Sequence, residues 1–139
     1  DEKKEQDWFL LKYPNHDSFH RFMKELNALY LTRPALSSGD YAQNGFTWLD
    51  CHQEARCIYA FERTDGKERI AAVFNFSDKE QEDFQLTVPG AKEMSVLLAS
   101  DRDIYGGTNP YKETVIKLKN ETAMLTLAPY SAVYYLIAV

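Results

Sequence analysis

Long apolar runs are missing from these 139 residues, and no stretch approaches the ~20 that a membrane-spanning helix needs. No membrane partner is expected. Cysteine is scarce. Cys51 and Cys57 stand six apart, and two thiols make no disulfide framework. They read as free, buried thiols in neighbouring strands, which suits a reducing cytoplasm. Basic excess is missing too. Lys and Arg number 16 against 21 Asp and Glu, for a net charge of −5. Nucleic acid is therefore not an expected partner, because phosphate binding needs clustered Lys and Arg. The one charge run, Asp1-Glu2-Lys3-Lys4-Glu5, is mixed in sign and reads as a solvated end. It is not an intact signal peptide, although a mature or truncated chain would have lost one.

Catalytic signatures are equally sparse. Ser18, Ser37, Ser38 and Ser131 lie in no nucleophile motif. Gly106-Gly107 lacks both the strand-to-helix setting and the lysine of a phosphate loop, so no cofactor is expected. His16 and His20 share a helical face, but no third ligand stands at metal spacing, and a structural or surface pair is the simpler reading. No metal site is assigned. His52 reads as a loop residue.

What is present is apolar bulk, including nine Tyr, eight Phe and two Trp. Phe19, Phe22, Met23, Leu26 and Tyr30 recur at spacings of three and four, which predicts a helix with one apolar face. Asp17 or Ser18 is expected to cap its start. Thr32-Arg33-Pro34 should end it, since proline disfavours helical backbone in the preceding residue. After Asn44-Gly45 the period drops to two. Strands are expected over 56–63 and 68–76 around an Asp65-Gly66 hairpin, then around Phe84, Leu86 and Val88, and over 94–99. Two more, 114–119 and 122–127, should meet at Asn120. A last strand, 132–138, is apolar on both faces and therefore central. Seven or eight short strands behind one helix predict a mainly β chain folded as an antiparallel sandwich.

Several segments together carry a resemblance. They are Asp7-Trp8-Phe9-Leu10-Leu11, then His16, then Glu25-Leu26-Asn27-Ala28-Leu29-Tyr30 with Pro34-Ala35-Leu36, and finally Asp40 with Gly45-Phe46-Thr47-Trp48-Leu49-Asp50. In order and spacing they resemble glycogen branching enzymes of the α-amylase superfamily, which show a W-x-L-L segment, an L-N-x-L-Y helix and a G-F-x-W strand. Val73-Phe74-Asn75-Phe76 and Ser100-Asp101 with Tyr105-Gly106-Gly107 resemble two later motifs of that family.

The resemblance implies that residues 1–37 are the tail of a catalytic (β/α)8 barrel, including one helix. It implies that 38–139 are a C-terminal Greek-key sandwich of the amylase type. The implied reaction cleaves an α-1,4-glucan chain and transfers it to a 6-hydroxyl. The implied partners are α-1,4-glucan (glycogen, maltooligosaccharides) and the chain's own barrel, in the cytoplasm. Such a retaining transfer needs two carboxyl groups about 5–5.5 Å apart, which the family carries on barrel strands upstream. Catalytic residues are therefore expected to be absent here. Asn15-His16-Asp17 resembles the family's catalytic His-Asp segment but follows the W-x-L-L segment instead of preceding it, so Asp17 reads as a helix cap.

Trp48 admits two readings: packing in a core or between domains, and a platform for a glucose ring. Tyr105 is the second candidate carbohydrate contact, with Trp8 and Tyr111 behind it. A stand-alone carbohydrate-binding module, or the tail of a related amylase-type hydrolase, is the alternative identity.

Overall fold

The structure, a computed structural model, describes residues 7–139. The charge run at 1–5 lies outside them. A 3₁₀ turn at Trp8–Lys12 leads into helix α1, Pro14–Thr32, and a single helical turn α2, Pro34–Ser37. Eight strands follow: β1 Phe46–Gln53, β2 Ile58–Thr64, β3 Arg69–Asn75, β4 Gln81–Thr87, β5 Glu93–Ala99, β6 Val115–Lys117, β7 Thr122–Leu127 and β8 Ser131–Ala138.

Helix α1 begins four residues earlier than a cap at Asp17 would place it. Pro14 occupies the first helical position, where its fixed φ suits the helix and its missing N–H is no loss. Tyr13 is the cap residue and offers no side-chain bond. Asp17 instead sits in the first turn, where its charge favours the positive end of the helix dipole, and lies 3.6 Å from Arg21 one turn on. The helix ends as expected. Arg33, ahead of Pro34, has extended backbone, and its N–H closes the last turn on the Leu29 carbonyl.

All strand pairs are antiparallel, in a six-stranded sheet ordered β1-β2-β3-β8-β5-β6 and a two-stranded sheet β4-β7. The chain crosses between the two sheets four times. Strand β8 is central, as its two apolar faces predict, and lies between β3 and β5. Strands β6 and β7 meet at Asn120 as expected, yet they do not pair as a hairpin. They meet only at a Lys119–Thr122 bridge, β6 pairing with β5 and β7 with β4. Asn120 and Glu121 both have positive φ, and that sharp turn sends the chain to the opposite sheet.

The core lies between the sheets. Ile58, Ala60, Ala71, Val73, Met94, Val133 and Ile137 pack against Phe84, Leu86, Leu125 and Leu127 of the small sheet. Two polar residues on this inner face are fully engaged. Glu62 receives a forked pair of hydrogen bonds from Arg69, which also donates to the Pro89 carbonyl. Asn75, 1% exposed, ties the β3–β4 and β7–β8 turns together. Its amide NH2 donates to the carbonyls of Lys79 (2.8 Å) and Ala128 (2.9 Å), and its carbonyl accepts from the backbone and hydroxyl of Ser77 (3.0 and 2.7 Å). An amide alone among side chains offers two donors and an acceptor in that arrangement.

Removing this link strands several buried partners. Asn75→Leu should lower stability by ~2–4 kcal/mol in urea unfolding. Asn75→Asp should be worse at neutral pH and recover as pH falls, since only a protonated carboxyl can donate to those carbonyls. Equal stability of all three proteins would remove the residue from this role.

Candidate functional site

The large sheet is apolar on its outer face as well. Ile70, Leu97, Tyr134 and Leu136 collect there under Leu29, Ala35 and Leu36 of the helical segment. Ala35 is fully buried, so α2 is the wedge that seats the helices on the sheet. No α1 residue is buried, and its stripe is only part-covered: Phe22, Met23 and Leu26 are half-buried, while Phe19 remains 66% exposed. Side-chain hydrogen bonds hold α1 at its middle and at its C-terminal end instead.

At the C-terminal end, the Tyr30 hydroxyl donates to Asp40, and Arg63 of β2 donates to the same carboxylate (2.6 Å) and to the Leu36 carbonyl (3.0 Å). Arg33 adds a 3.3 Å pair with Glu68. The Tyr30 and Arg63 donors hold the Asp40 carboxyl below the ordinary aspartate range, and the carboxylate in turn raises the Tyr30 hydroxyl.

At mid-helix, Tyr105 packs edge-on against Phe22 (5.4 Å between ring centres), and its hydroxyl donates to Glu25 at 2.8 Å. Burial, and then that carboxylate, push the Tyr105 hydroxyl up to about 12. The loop presenting Tyr105 is tightly built. Gly106 has φ 84, and a Cβ at Gly107 would collide with the Asp101 carbonyl, so both glycines are required. Tyr111 closes the loop through its hydroxyl to Asp101 (2.6 Å). The structure thus gives Tyr105 a contact with α1 that spacing alone did not suggest.

Trp48 lies on edge strand β1, paired directly with Phe61 on the outer face, and is 52% exposed. It belongs to an aromatic array. Phe46, Phe61, Phe74 and Phe76 stack in succession with centres 5.1–5.7 Å apart, and Trp48 stands perpendicular to Phe46 and Phe61. Sequence reasoning found Trp48 but missed the array, whose other members are separated along the chain and joined only by strand register. Trp48 and Tyr105 are not brought together. Four strand spacings, on the order of 19 Å, separate β1 from β5.

The remaining candidates disperse. Trp8 is exposed beside an apolar hollow lined by Leu10, Leu11, Phe19 and Met23. His52 lies in β1, not in a loop. Cys51 and Cys57 are free but only half-buried, and Cys57 caps a 3₁₀ turn with φ 54 instead of entering a strand, because β2 begins one residue later. Among the described residues no group of three or more His, Cys, Asp or Glu is placed to hold a metal, and no helix is long and apolar enough to cross a membrane.

Because the Asp40 carboxyl is held low, its share of helix docking is present above the ordinary aspartate value of 3.8 and disappears as pH falls through the lower value in the folded chain. Asp40→Asn should therefore loosen α1 near neutral pH, read as faster amide exchange over 19–32, and its difference from the parent should vanish in acid. A difference independent of pH would exclude this origin.

Known proteins share this arrangement. The model of the alpha amylase C-terminal all-beta domain matches residues 48–138. Curated relatives include the 1,4-alpha-glucan branching enzyme GlgB of Nitrosococcus oceani, 33% identical over 123 residues covering 88% of this chain and 16% of that protein. The enzyme of the same name from Aliivibrio fischeri is 33% identical over 136 residues, 92% of this chain and 19% of that protein. Among solved structures, trehalulose synthase MutB of Pseudomonas mesoacidophila MX-45 superposes with TM-score 0.57 at 19% identity, over 85% of this chain and 17% of that one, a likeness of fold. The chain thus spans under a fifth of the length of these relatives. Across the eight strands that carry its core, it belongs to the family of alpha-amylase C-terminal all-beta domains.

Proposed function

We propose that this chain is the C-terminal part of a 1,4-α-glucan branching enzyme, a transferase that cuts α-1,4-glucan chains and re-attaches them at 6-hydroxyls in glycogen synthesis. The observation that carries this is the reach of the likeness. The family model matches only from residue 48 onward, whereas the alignments to the Nitrosococcus and Aliivibrio enzymes are too long to fit without part of the helical segment. The match is therefore to helix plus sandwich, not to a generic β domain or a free-standing binding module.

On this reading residues 1–37 end a catalytic barrel and 38–139 form the supporting sandwich, in a cytoplasmic protein. The chain's own role is support. Its best-placed carboxylates are committed elsewhere: Glu25 to Tyr105, Asp40 to Tyr30 and Arg63, Glu62 to Arg69, and Asp101 to Tyr111. A glycosidic acid and nucleophile must be free to reach one sugar at about 5–5.5 Å separation. Trp48 is the proposed stacking contact for glucan. Tyr105, its proposed companion, would meet a separate glucan segment, through a ring whose hydroxyl is already held by Glu25.

Incubated with amylose, this chain alone should leave iodine absorbance and the content of α-1,6 linkages at the level of buffer. A chain extended to the length of its curated relatives should raise the α-1,6 content. Branching by the short chain, or none by the long one, would refute the reading.

A further inference from the structure

Of the asparagines in the chain, only Asn44 precedes a glycine. Such a pair is prone to loss of the side-chain amide, because glycine puts no side chain in the way of attack by its own backbone nitrogen. The fold cannot exchange this glycine for a safer residue. A Cβ on Gly45 would stand 2.6 Å from the Gly39 carbonyl oxygen, and one on Gly39 would stand 3.1 Å from that of Thr64. The two glycines let the segment behind α2 cross over itself against the end of β2. Two turns lock the crossing. The Ala42 N–H donates to the Gly39 carbonyl, and the Gly45 N–H donates to the Ala42 carbonyl, each at 3.1 Å. Gly45 is buried, whereas Asn44 is exposed to water and lines a cleft with Ser38, Thr64 and Asp65.

We propose that Asn44-Gly45 is a deamidation site gated by the joint between the helical segment and the sandwich. The Gly45 nitrogen attacks Cγ of Asn44, and its proton goes to solvent. A carbon–nitrogen bond forms, the bond from Cγ to the side-chain nitrogen breaks, and that nitrogen leaves as ammonia. Water, the one co-reactant, then opens the five-membered imide at either carbonyl, leaving aspartate or isoaspartate at position 44. The docked chain opposes the first step. The Gly45 N–H is held by Ala42, and the ring closes only when the Asn44 backbone leaves the 3₁₀ turn Gln43–Gly45. Opening that turn takes Gly45 off Gly39, and with it the segment that carries Leu36 and Asp40 to the sheet. Isoaspartate then lengthens the main chain by one carbon at a crossing with no spare room. Either product adds a negative charge to the cleft that Asp65 lines. Closure is opposed from then on, and α1 stays loosened. The site is independent of the branching-enzyme reading.

The test incubates the folded chain beside a synthetic peptide of residues 41–48 in mildly alkaline buffer. Mass spectrometry of proteolytic fragments reads the change from amide to acid at position 44, and chromatography separates the two products. The peptide should convert freely, and the folded chain at least about tenfold more slowly, in proportion to its open fraction. Asp40→Ala, which removes the carboxylate that Tyr30 and Arg63 share, should convert faster than the parent. Asn44→Gln should stay intact over the same time, because its longer side chain closes a six-membered ring far more slowly. The isolated isoaspartyl chain should show faster amide exchange over 19–32 than the parent, and faster than Asn44→Asp, which adds the charge alone. Conversion of the folded chain at the peptide's rate, or equal conversion of Asp40→Ala and parent, would remove the gate. Conversion of the same fragment in Asn44→Gln would overturn the site. An isoaspartyl chain with the parent's exchange over 19–32 would overturn its effect on docking.

Discussion

A strand that is apolar on both faces cannot lie at a surface, and β8 is such a strand. Tyr135, Val133 and Ile137 point into the sandwich, and Tyr134 and Leu136 point out of it. The large sheet therefore needs a cover on each side. The two-stranded β4-β7 sheet supplies one, alternating buried Phe84, Leu86, Leu125 and Leu127 with wet residues. The small sheet is too narrow to cover six strands, so the inner face of the large one also carries Glu62 and Asn75, each saturated by hydrogen bonds. The outer cover is the helical segment, and it too is incomplete.

That incompleteness shapes the functional surface. Leu29, Ala35 and Leu36 shield the middle of the outer face, while β1 and β2 are left with Phe46, Trp48 and Phe61 open or half-open. The helix is held less by burial than by polar contacts at two points, the Tyr30-Asp40-Arg63 cluster and the Tyr105-Glu25 bond. Exposed pairs of this kind contribute little each, but they fix orientation, and together with the α2 wedge they make helix and sandwich one unit. The Ser100-Asp101 to Gly107 segment is best understood as the support for one of those contacts.

Much of this was legible in the chain. The 3.6 period marks α1, the period of two marks the strands, and Asp65-Gly66 marks the β2-β3 hairpin, because each follows from local backbone and side-chain geometry. The centrality of β8 was also readable, since burial on both faces leaves no polar alternation. Local rules misplaced the helix start, where Pro14 outranked Asp17 as the beginning, and they located the β6–β7 turn at Asn120 without saying which sheet each strand joins. In the candidate site, Trp48 stood out by its setting in a strand motif. Its neighbours Phe61, Phe74 and Phe76 did not, since they are brought beside it only by strand register.

The sequence by itself determined the class of fold, the order of its elements, the face each strand buries and the kinship to glucan-acting enzymes, all of which rest on periodicity, turn chemistry and ordered motifs. Only the tertiary structure decided which strands share a sheet, that Asn75 joins the β3–β4 and β7–β8 turns, that Tyr105 meets α1, and that Trp48 joins an array with Phe46, Phe61, Phe74 and Phe76. The physical reason is range. Periodicity records what one residue demands of its near neighbours. An array assembled from residues 46, 48, 61, 74 and 76 exists only once sheet register has closed the distance between them.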